Sequence, residues 1–357
     1  MSLLFEKGKI GSLEIPNRII RSATNERMAA TDGSATLELI QYNVELAHGG
    51  VGLITGGNTH IRHDSAGTRA LYIDSDDMIQ SHKRLTNAIH NADSLIFAQL
   101  NHSGRQKSPE GKIPIAPSPV PLLGTIPSEI TEKEISWLIE QFGECARRVK
   151  EAGYNGVQLH AAHGFLISQF NSPYTNRRND AWGGSPEKRM RFIIEVTKNV
   201  RGKIGKSFPL TVKINVSDLK DGGLEFEEAC KIIFKLQELA VDAVEISSGI
   251  ADSDIDRVRE LTEIAKREGA LHRHFTQELK RKGLKIPLIL VGCLRKRRTC
   301  EEILQKREAD FVSFSRPFIR EVAFPKRWEN GDLDDLACES CDTCSDDKSG
   351  PIKCKFN

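Results

Sequence analysis

The 357-residue chain contains no apolar run that approaches a membrane span, which needs about 20 consecutive apolar residues. Its first residues, MSLLFEKGKI, lack the charged-then-apolar pattern of a secretory signal. These two absences together point to a cytoplasmic protein. Charge of one sign is lacking as well: 51 Lys and Arg stand against 49 Asp and Glu, a formal net charge of +2. That excludes a polyanion or nucleic-acid footprint spread over the whole surface. No G-x-G-x-x-G dinucleotide fingerprint occurs. Disulfides are not expected in a reducing compartment, so the eight cysteines read as thiols or metal ligands.

The most informative stretch is residues 156–192, GVQLHAAHGFLISQFNSPYTNRRNDAWGGSPEKRMRF. It opens as a short apolar strand over 156–159 that delivers His160 and His163 to its carboxyl end. A long polar loop follows, and Ser185-Pro186 starts a helix, with serine as N-cap and proline at the first helical position. Phe192, Ile193, Val196 and Val200 mark that helix's buried face at 3–4 spacing. A strand that ends in polar side chains and a long loop is how an α/β barrel builds its active site. The ordered string HAAHGFLISQF, then SP, N-x-R-x-D-x-WGGS and R-x-RF, closely resembles the old yellow enzyme family of FMN-dependent ene-reductases. Within the family it is most similar to the bacterial type that includes the barrel domain of 2,4-dienoyl-CoA reductase.

Residues 1–18 read as a hairpin turning at Gly8 or Gly11, suited to close the amino-terminal mouth of a barrel. The first barrel strand, 19–23, ends in a polar cluster, and NRIIRSAT resembles the family's first strand, whose end lies against the flavin. Ser22, Ala23, Thr24 and Asn25 are therefore cofactor candidates. Ala23-Thr24 departs from the proline and apolar residue of many members, and Asn25 falls where others carry a flavin-tuning Thr or Cys. A helix over 35–48 stops at Gly49-Gly50. The second strand, 51–55, is ended by Gly56-Gly57, which either lets backbone approach a flat ligand or makes a tight turn.

Helix 76–91 leads to the third strand, 95–100. AQLNHSGR at its end resembles the family's QL-H-GR element, which implies that the Gln99 amide bonds the flavin's pyrimidine edge. An amide can donate and accept there at once. The proline-rich loop 106–130 reads as a cover for the substrate mouth. Thr131 and Glu134 form a capping box for the next helix.

Strand five, 210–215, contains Lys213, whose charge must find a partner. The residues alone favour a snorkelling edge lysine; the resemblance implies a cation over the flavin N1–O2 edge. A helix over 226–239, strand six over 243–249 and a polar helix over 255–268 follow. His272-Arg273-His274 reads as a solvated helix or loop rather than a metal site. Strands seven (287–292) and eight (311–315) bring Gly292, Cys293, Ser315 and Arg316 to the phosphate position usual in barrels. SRPF resembles the family's closing motif, which implies Arg316 on an FMN phosphate, with at most one charge of the run 295–298 beside it.

The tail carries Cys338-x2-Cys341-x2-Cys344-x9-Cys354, a metal-ligand spacing. In the resembling reductase a cysteine cluster after the barrel, spaced C-x2-C-x3-C-x11-C, holds a [4Fe–4S] centre. A second, dinucleotide-binding region usually supplies its electrons, and this chain is expected to lack one. A [4Fe–4S] cluster, zinc and a metal-free reduced tail all stay open.

The expected fold is α/β: a (β/α)8 TIM barrel over 1–330 with a hairpin cap, then a cysteine-rich tail over 331–357. The resemblance implies FMN, NAD(P)H as donor, and hydride delivery to an alkene conjugated to a carbonyl or nitro group. His160 and His163 would be catalytic, donating hydrogen bonds to the substrate oxygen. Many relatives place a proton-donating tyrosine two residues after the second histidine; Phe165 stands there and has no proton to give. An alternative is an FMN/iron–sulfur electron-transfer flavoprotein serving a separate protein, and a third is a redox sensor without turnover. Expected partners are a small-molecule substrate and a second copy in a homo-oligomer, with no nucleic acid and no membrane.

Overall fold

Strands buried on both faces must be covered by helices, and closing their sheet removes its edges. The computed structural model describes residues 2–65, 67, 69–106, 112–345 and 350–356. Its strands are β1 (Gly8–Ile10), β2 (Leu13–Ile15), β3 (Ile19–Arg21), β4 (Leu53–His60), β5 (Ile96–Asn101) and β6 (Ile115–Ala116). They continue as β7 (Ser128–Glu129), β8 (Gly156–Ala161), β9 (Leu210–Asn215), β10 (Ala243–Ser247), β11 (Leu288–Val291) and β12 (Phe311–Phe314). Strands β3, β4, β5, β8, β9, β10, β11 and β12 pair in parallel in that order, and β12 pairs back onto β3. The fold is a (β/α)8 barrel. Each residue of β5, β8, β9 and β10 is buried.

The helices wrap this barrel with their apolar stripes inward. The capping box at Thr131 opens the helix Glu132–Glu151 as the sequence implies. That helix packs on Arg191–Ile204, where the Phe142 and Phe192 rings meet edge to face with centroids 6.4 Å apart. β1 and β2 form the expected antiparallel hairpin, turning at Gly11 in left-handed backbone and not at Gly8. Ile10 and Ile15 of the hairpin join Ile20, Leu53, Phe97, Ala243, Ile289 and Phe311 in a cluster apart from the main core. This cluster closes the amino-terminal end of the barrel. Gly8 is required there because a Cβ would sit 2.5 Å from the Phe311 ring.

Three expectations change. β4 does not end at Gly56-Gly57 but runs on to His60, with its register against β5 shifting between Thr55 and Asn58. A bulge of this kind bends the strand. A Cβ on Gly57 would lie 2.6 Å from the Thr24 carbonyl oxygen and 2.5 Å from Glu26 Oε2, so the close approach is made by the chain's own loop. Gly56 meets only ordinary contacts with Phe97 and Ile96. The helix capped by Ser185 is short, Pro186–Arg189, and is followed by the separate Arg191–Ile204. His272 is buried, not solvated, and is held by Ser248 and the Val291 carbonyl. In the loop 106–130, of which 107–111 lie outside the described residues, β6 and β7 pair in parallel. Arg178 pins this loop through the carbonyls of Pro117 at 3.0 Å and Ile130 at 2.7 Å. Among the described residues no helix is long and apolar enough to cross a membrane.

Phe311→Ala should therefore destabilise the protein by about 3–5 kcal/mol, the usual cost of emptying a packed phenylalanine site. Urea denaturation measures this, and a loss below about 1 kcal/mol would contradict the floor's role.

Candidate active site

The carboxyl ends of the strands carry a continuous buried polar network. Parallel register sets Gln99 beside Gln158 and places Lys213 between His160 and Glu245. Lys213 Nζ donates to Ser22 Oγ at 2.8 Å and to Glu245 Oε1 at 3.2 Å. Ser22 Oγ in turn donates to Glu245 Oε1 at 2.6 Å. Gln158 Nε2 donates to Glu245 Oε2 at 3.0 Å, and Gln99 Nε2 donates to Gln158 Oε1 at 2.7 Å. Lys213 is thus no snorkelling edge residue: its side chain is 5% exposed and its partner's 1%.

The two histidines stand at the end of β8. The Ala162 N–H points to His160 Nδ1 at 3.3 Å, so that nitrogen accepts and Nε2 carries the proton. His163 has left-handed backbone, and its N–H donates to Asn215 Oδ1 at 3.1 Å. Its Nε2 lies 2.7 Å from Ser247 Oγ. With the Ser247 hydroxyl donating to Nε2, the His163 Nδ1–H is left to donate elsewhere. The imidazoles meet edge on with centroids 5.1 Å apart, and the Phe165 ring lies 4.6 Å from His160. Burial holds both imidazoles neutral: His160 is pushed well below its ordinary range, and His163 down to about 3. The neighbouring Lys213 charge acts in the same direction on both.

A cavity of about 420 Å³ opens beside His163, bounded by Leu219, Ser248, Ile250, Val258 and Leu261. Its lining includes no Asp, Glu, Lys or Arg among the described residues. Arg105 and Tyr174 both reach Asp252, at 2.6 and 2.9 Å, and so tie three loops together on this side of the barrel.

A second cavity, after β11 and β12, is lined by Gly292, Cys293, Arg295, Ser313, Ser315 and Arg316. Left-handed backbone at Gly292 and Cys293 turns the chain sharply there. The buried Ser313 hydroxyl has no partner among the described residues, which suits a cradle for an anion. Arg21 joins this cradle to the first strand: it donates to the Ser315 carbonyl at 3.0 Å and to Thr24 Oγ1 at 2.6 Å. Thr24 and Ser315 hydroxyls are 2.7 Å apart. Ala23 is partly buried next to this pair, whereas Asn25 spends its side-chain oxygen on the Arg27 N–H. Arg316 pairs with Asp342 of the tail, and Arg295 with Ser340.

Cys338, Cys341, Cys344 and Cys354 line one small cavity together with Arg316 and Arg320. For these four residues the sequence leaves a [4Fe–4S] cluster, zinc and a metal-free reduced tail open. Among the described residues no three His, Cys, Asp or Glu side chains come together as a ligand set. Ser340 and Asp342, which flank Cys341, have left-handed backbone and turn to the arginines of the cradle instead.

Sequence reasoning missed Arg21, Gln158, Glu245 and Ser247. The signal that singled out Lys213 was available for Arg21, Gln158 and Glu245: each is a polar or charged residue inside an apolar strand, in NRIIRS, GVQLH and AVEIS.

The fold and the chemistry at its strand ends define a (β/α)8 barrel with its site on the carboxyl face. The chain belongs to the NADH:flavin oxidoreductase / NADH oxidase family, which it matches over residues 3–335. It is 38% identical over 346 residues to the NADH oxidase of Thermoanaerobacter brockii, covering 95% of this chain and 52% of that protein. It is 30% identical over 364 residues to the cinnamate reductase of Clostridium sporogenes, covering 95% of this chain and 54% of that one. The chain therefore spans about half the length of these two curated relatives. The solved old yellow enzyme homologue of Zymomonas mobilis superposes with a TM-score of 0.79 at 29% identity, over 93% of this chain and 94% of that one.

The buried neutral histidines give stability a definite pH dependence. His82 and His272 are held at about 4, and His102 and His163 at about 3, against an ordinary 6.5. Below about pH 6.5 the unfolded chain binds protons that the folded chain refuses, so stability is full above that pH and is lost as the pH falls. Glu26 and Asp218, raised by burial, act in the opposite direction. The urea midpoint should fall steadily from pH 7 to pH 5, and a flat midpoint would contradict burial of neutral imidazoles.

Proposed function

We propose that this chain is an FMN-dependent oxidoreductase that passes hydride from NAD(P)H to an alkene conjugated to a carbonyl or nitro group. One observation carries the reading: two neutral histidines and a buried lysine occupy adjacent strand ends, with His160 in register with Lys213. Converging neutral donors suit an oxygen that gains negative charge, and a lysine suits the edge of a ring that does the same. Bound FMN would supply the hydride-carrying chemistry between the nicotinamide and the alkene.

Lys213 and Gln99 would hold its pyrimidine edge, with Ser22 and the Ala23–Asn25 segment alongside. Gly292, Cys293, Ser315 and Arg316 would hold its phosphate, where the unpartnered Ser313 hydroxyl already waits for an acceptor. His160 Nε2–H and His163 Nδ1–H donate to the substrate oxygen. Neither imidazole can serve as the acid, because neither binds a second proton near neutral pH. Phe165 packs on His160 and has no proton to give, so the α-carbon takes its proton from water or from another acid. The uncharged cavity beside His163 accommodates an apolar remainder of the substrate, within the size range of small-molecule pockets. The relative named for cinnamate supports an activated alkene as the substrate class.

The four thiols lining one cavity favour a second reading, an electron-transfer flavoprotein serving a separate protein. Iron and sulfide analysis of anaerobically purified protein separates the two: stoichiometric iron and sulfide would move the second ahead.

Stopped-flow measurement of the separate half-reactions tests the first reading. His163→Ala should slow reoxidation by a cyclic enone about a hundredfold, the usual cost of one oxyanion donor, and leave reduction by NAD(P)H nearly unaltered. Equal loss in both half-reactions would refute the assignment. Phe165→Tyr should accelerate reoxidation by weakly activated enones, where an acid contributes roughly a hundredfold or more. Nitroalkenes, whose product is stable before protonation, should respond little. An enone rate that is already fast and does not change would mean that another acid is in place.

A further inference from the structure

We infer that Glu245 is a positioning residue that fixes the hydrogen-bond polarity and the charge presented to the flavin's pyrimidine edge, acting through Gln158, Gln99 and Lys213. The inference rests on the proposed FMN site and adds to it a residue that never touches the cofactor.

An ionised carboxylate only accepts hydrogen bonds. Both Glu245 oxygens receive donors: Oε1 from Ser22 Oγ and Lys213 Nζ, Oε2 from Gln158 Nε2. A buried carboxyl receiving three donors is held as the acceptor-only carboxylate. An amide has two distinguishable ends, so the carboxylate forces Gln158 to turn its NH₂ inward and its carbonyl to Gln99. Gln99 must then give its NH₂ to Gln158, which it does at 2.7 Å. With its NH₂ given to Gln158, Gln99 has its carbonyl oxygen at the end of the chain. It is thereby set as an acceptor, the role that a ring N–H requires. Lys213 is donor-only but reaches Ser22 and Glu245 rather than either amide, and serine and both amides can donate or accept, so the direction of the amide chain comes from the carboxylate.

The second consequence is electrostatic. Lys213 is held by Glu245 and Ser22, so its positive charge is largely balanced before any cofactor arrives. A lysine balanced in this way stabilises an anionic reduced ring less than a lone lysine would. Glu245 therefore lowers the potential of the bound flavin and makes it a stronger hydride donor.

Glu245→Gln keeps the shape and removes both the charge and the one-way acceptor. The measurement is the midpoint potential of the FMN-loaded protein, with FMN affinity of the stripped protein and the melting temperature alongside. Glu245→Gln should shift the two-electron equilibrium at least tenfold toward reduced flavin, a rise of about 30 mV. FMN affinity should fall, because Gln158 and Gln99 can now turn over. Glu245→Asp keeps the charge and should leave the potential with the wild type. A purely structural ion pair predicts lower melting for both variants with the potential unmoved, and that result overturns the inference. If Glu245→Gln does not fold, the K213M/E245Q double variant removes both buried charges together and is compared with K213M alone. A tenfold shift between those two supports the inference, and equal potentials overturn it. Wild-type protein that binds no FMN would instead overturn the cofactor reading itself.

Discussion

The buried pair of Lys213 and Glu245 is the constraint on which the rest of the site depends. Removing two such charges from water costs several kcal/mol per ion, and attraction repays it only when every remaining donor and acceptor is satisfied. The barrel meets that condition by register: β9 and β10 hold the pair side by side, β8 supplies Gln158, and Ser22 follows directly on β3. Four strands must be in place before the ion pair is satisfied. Closure of the barrel and assembly of the polar end are thus one event, and slipping any of these strands by one residue would turn its contribution away from the site.

The histidine pair obeys the opposite rule. Glu245 lies in the network of Lys213, and neither imidazole has a carboxylate of its own to hold a proton on it. His160 receives a backbone N–H, which fixes its neutral tautomer, and His163 is paired with a serine hydroxyl that can serve a neutral ring. One buried layer therefore presents a cation with its counter-charge and two uncharged donors a few ångströms apart. Such a layer can polarise without exchanging protons, and Phe165 beside it has no proton to give.

Much of this was legible in the sequence because strand ends and helix caps leave local marks. Strand β9 and the helix Ile255–Glu268 fall where the pattern puts them, and Thr131 caps as its spacing requires. Lys213, His160, His163 and Gln99 stand out because each is polar where the strand is apolar. Glu245 and Gln158 bear the same mark, yet their importance lies in partners on other strands, which only register reveals. The turn expected at Gly56-Gly57 failed for a related reason. Glycine permits both a turn and a bulge, and the choice was made by Thr24 and Glu26 packing against Gly57. The tail is read less directly from spacing: Ser340 and Asp342 answer to Arg295 and Arg316, while the four cysteines line one cavity.

The account's central claim is that this polar barrel end, with its cradle after β11 and β12, is built for one flavin mononucleotide. Mass identification of the cofactor released by heat from the purified protein tests that claim most directly. The geometry predicts FMN at one per chain, held by a single phosphate cradle. Release of FAD, or of no flavin from protein refolded in the presence of FMN, would contradict it.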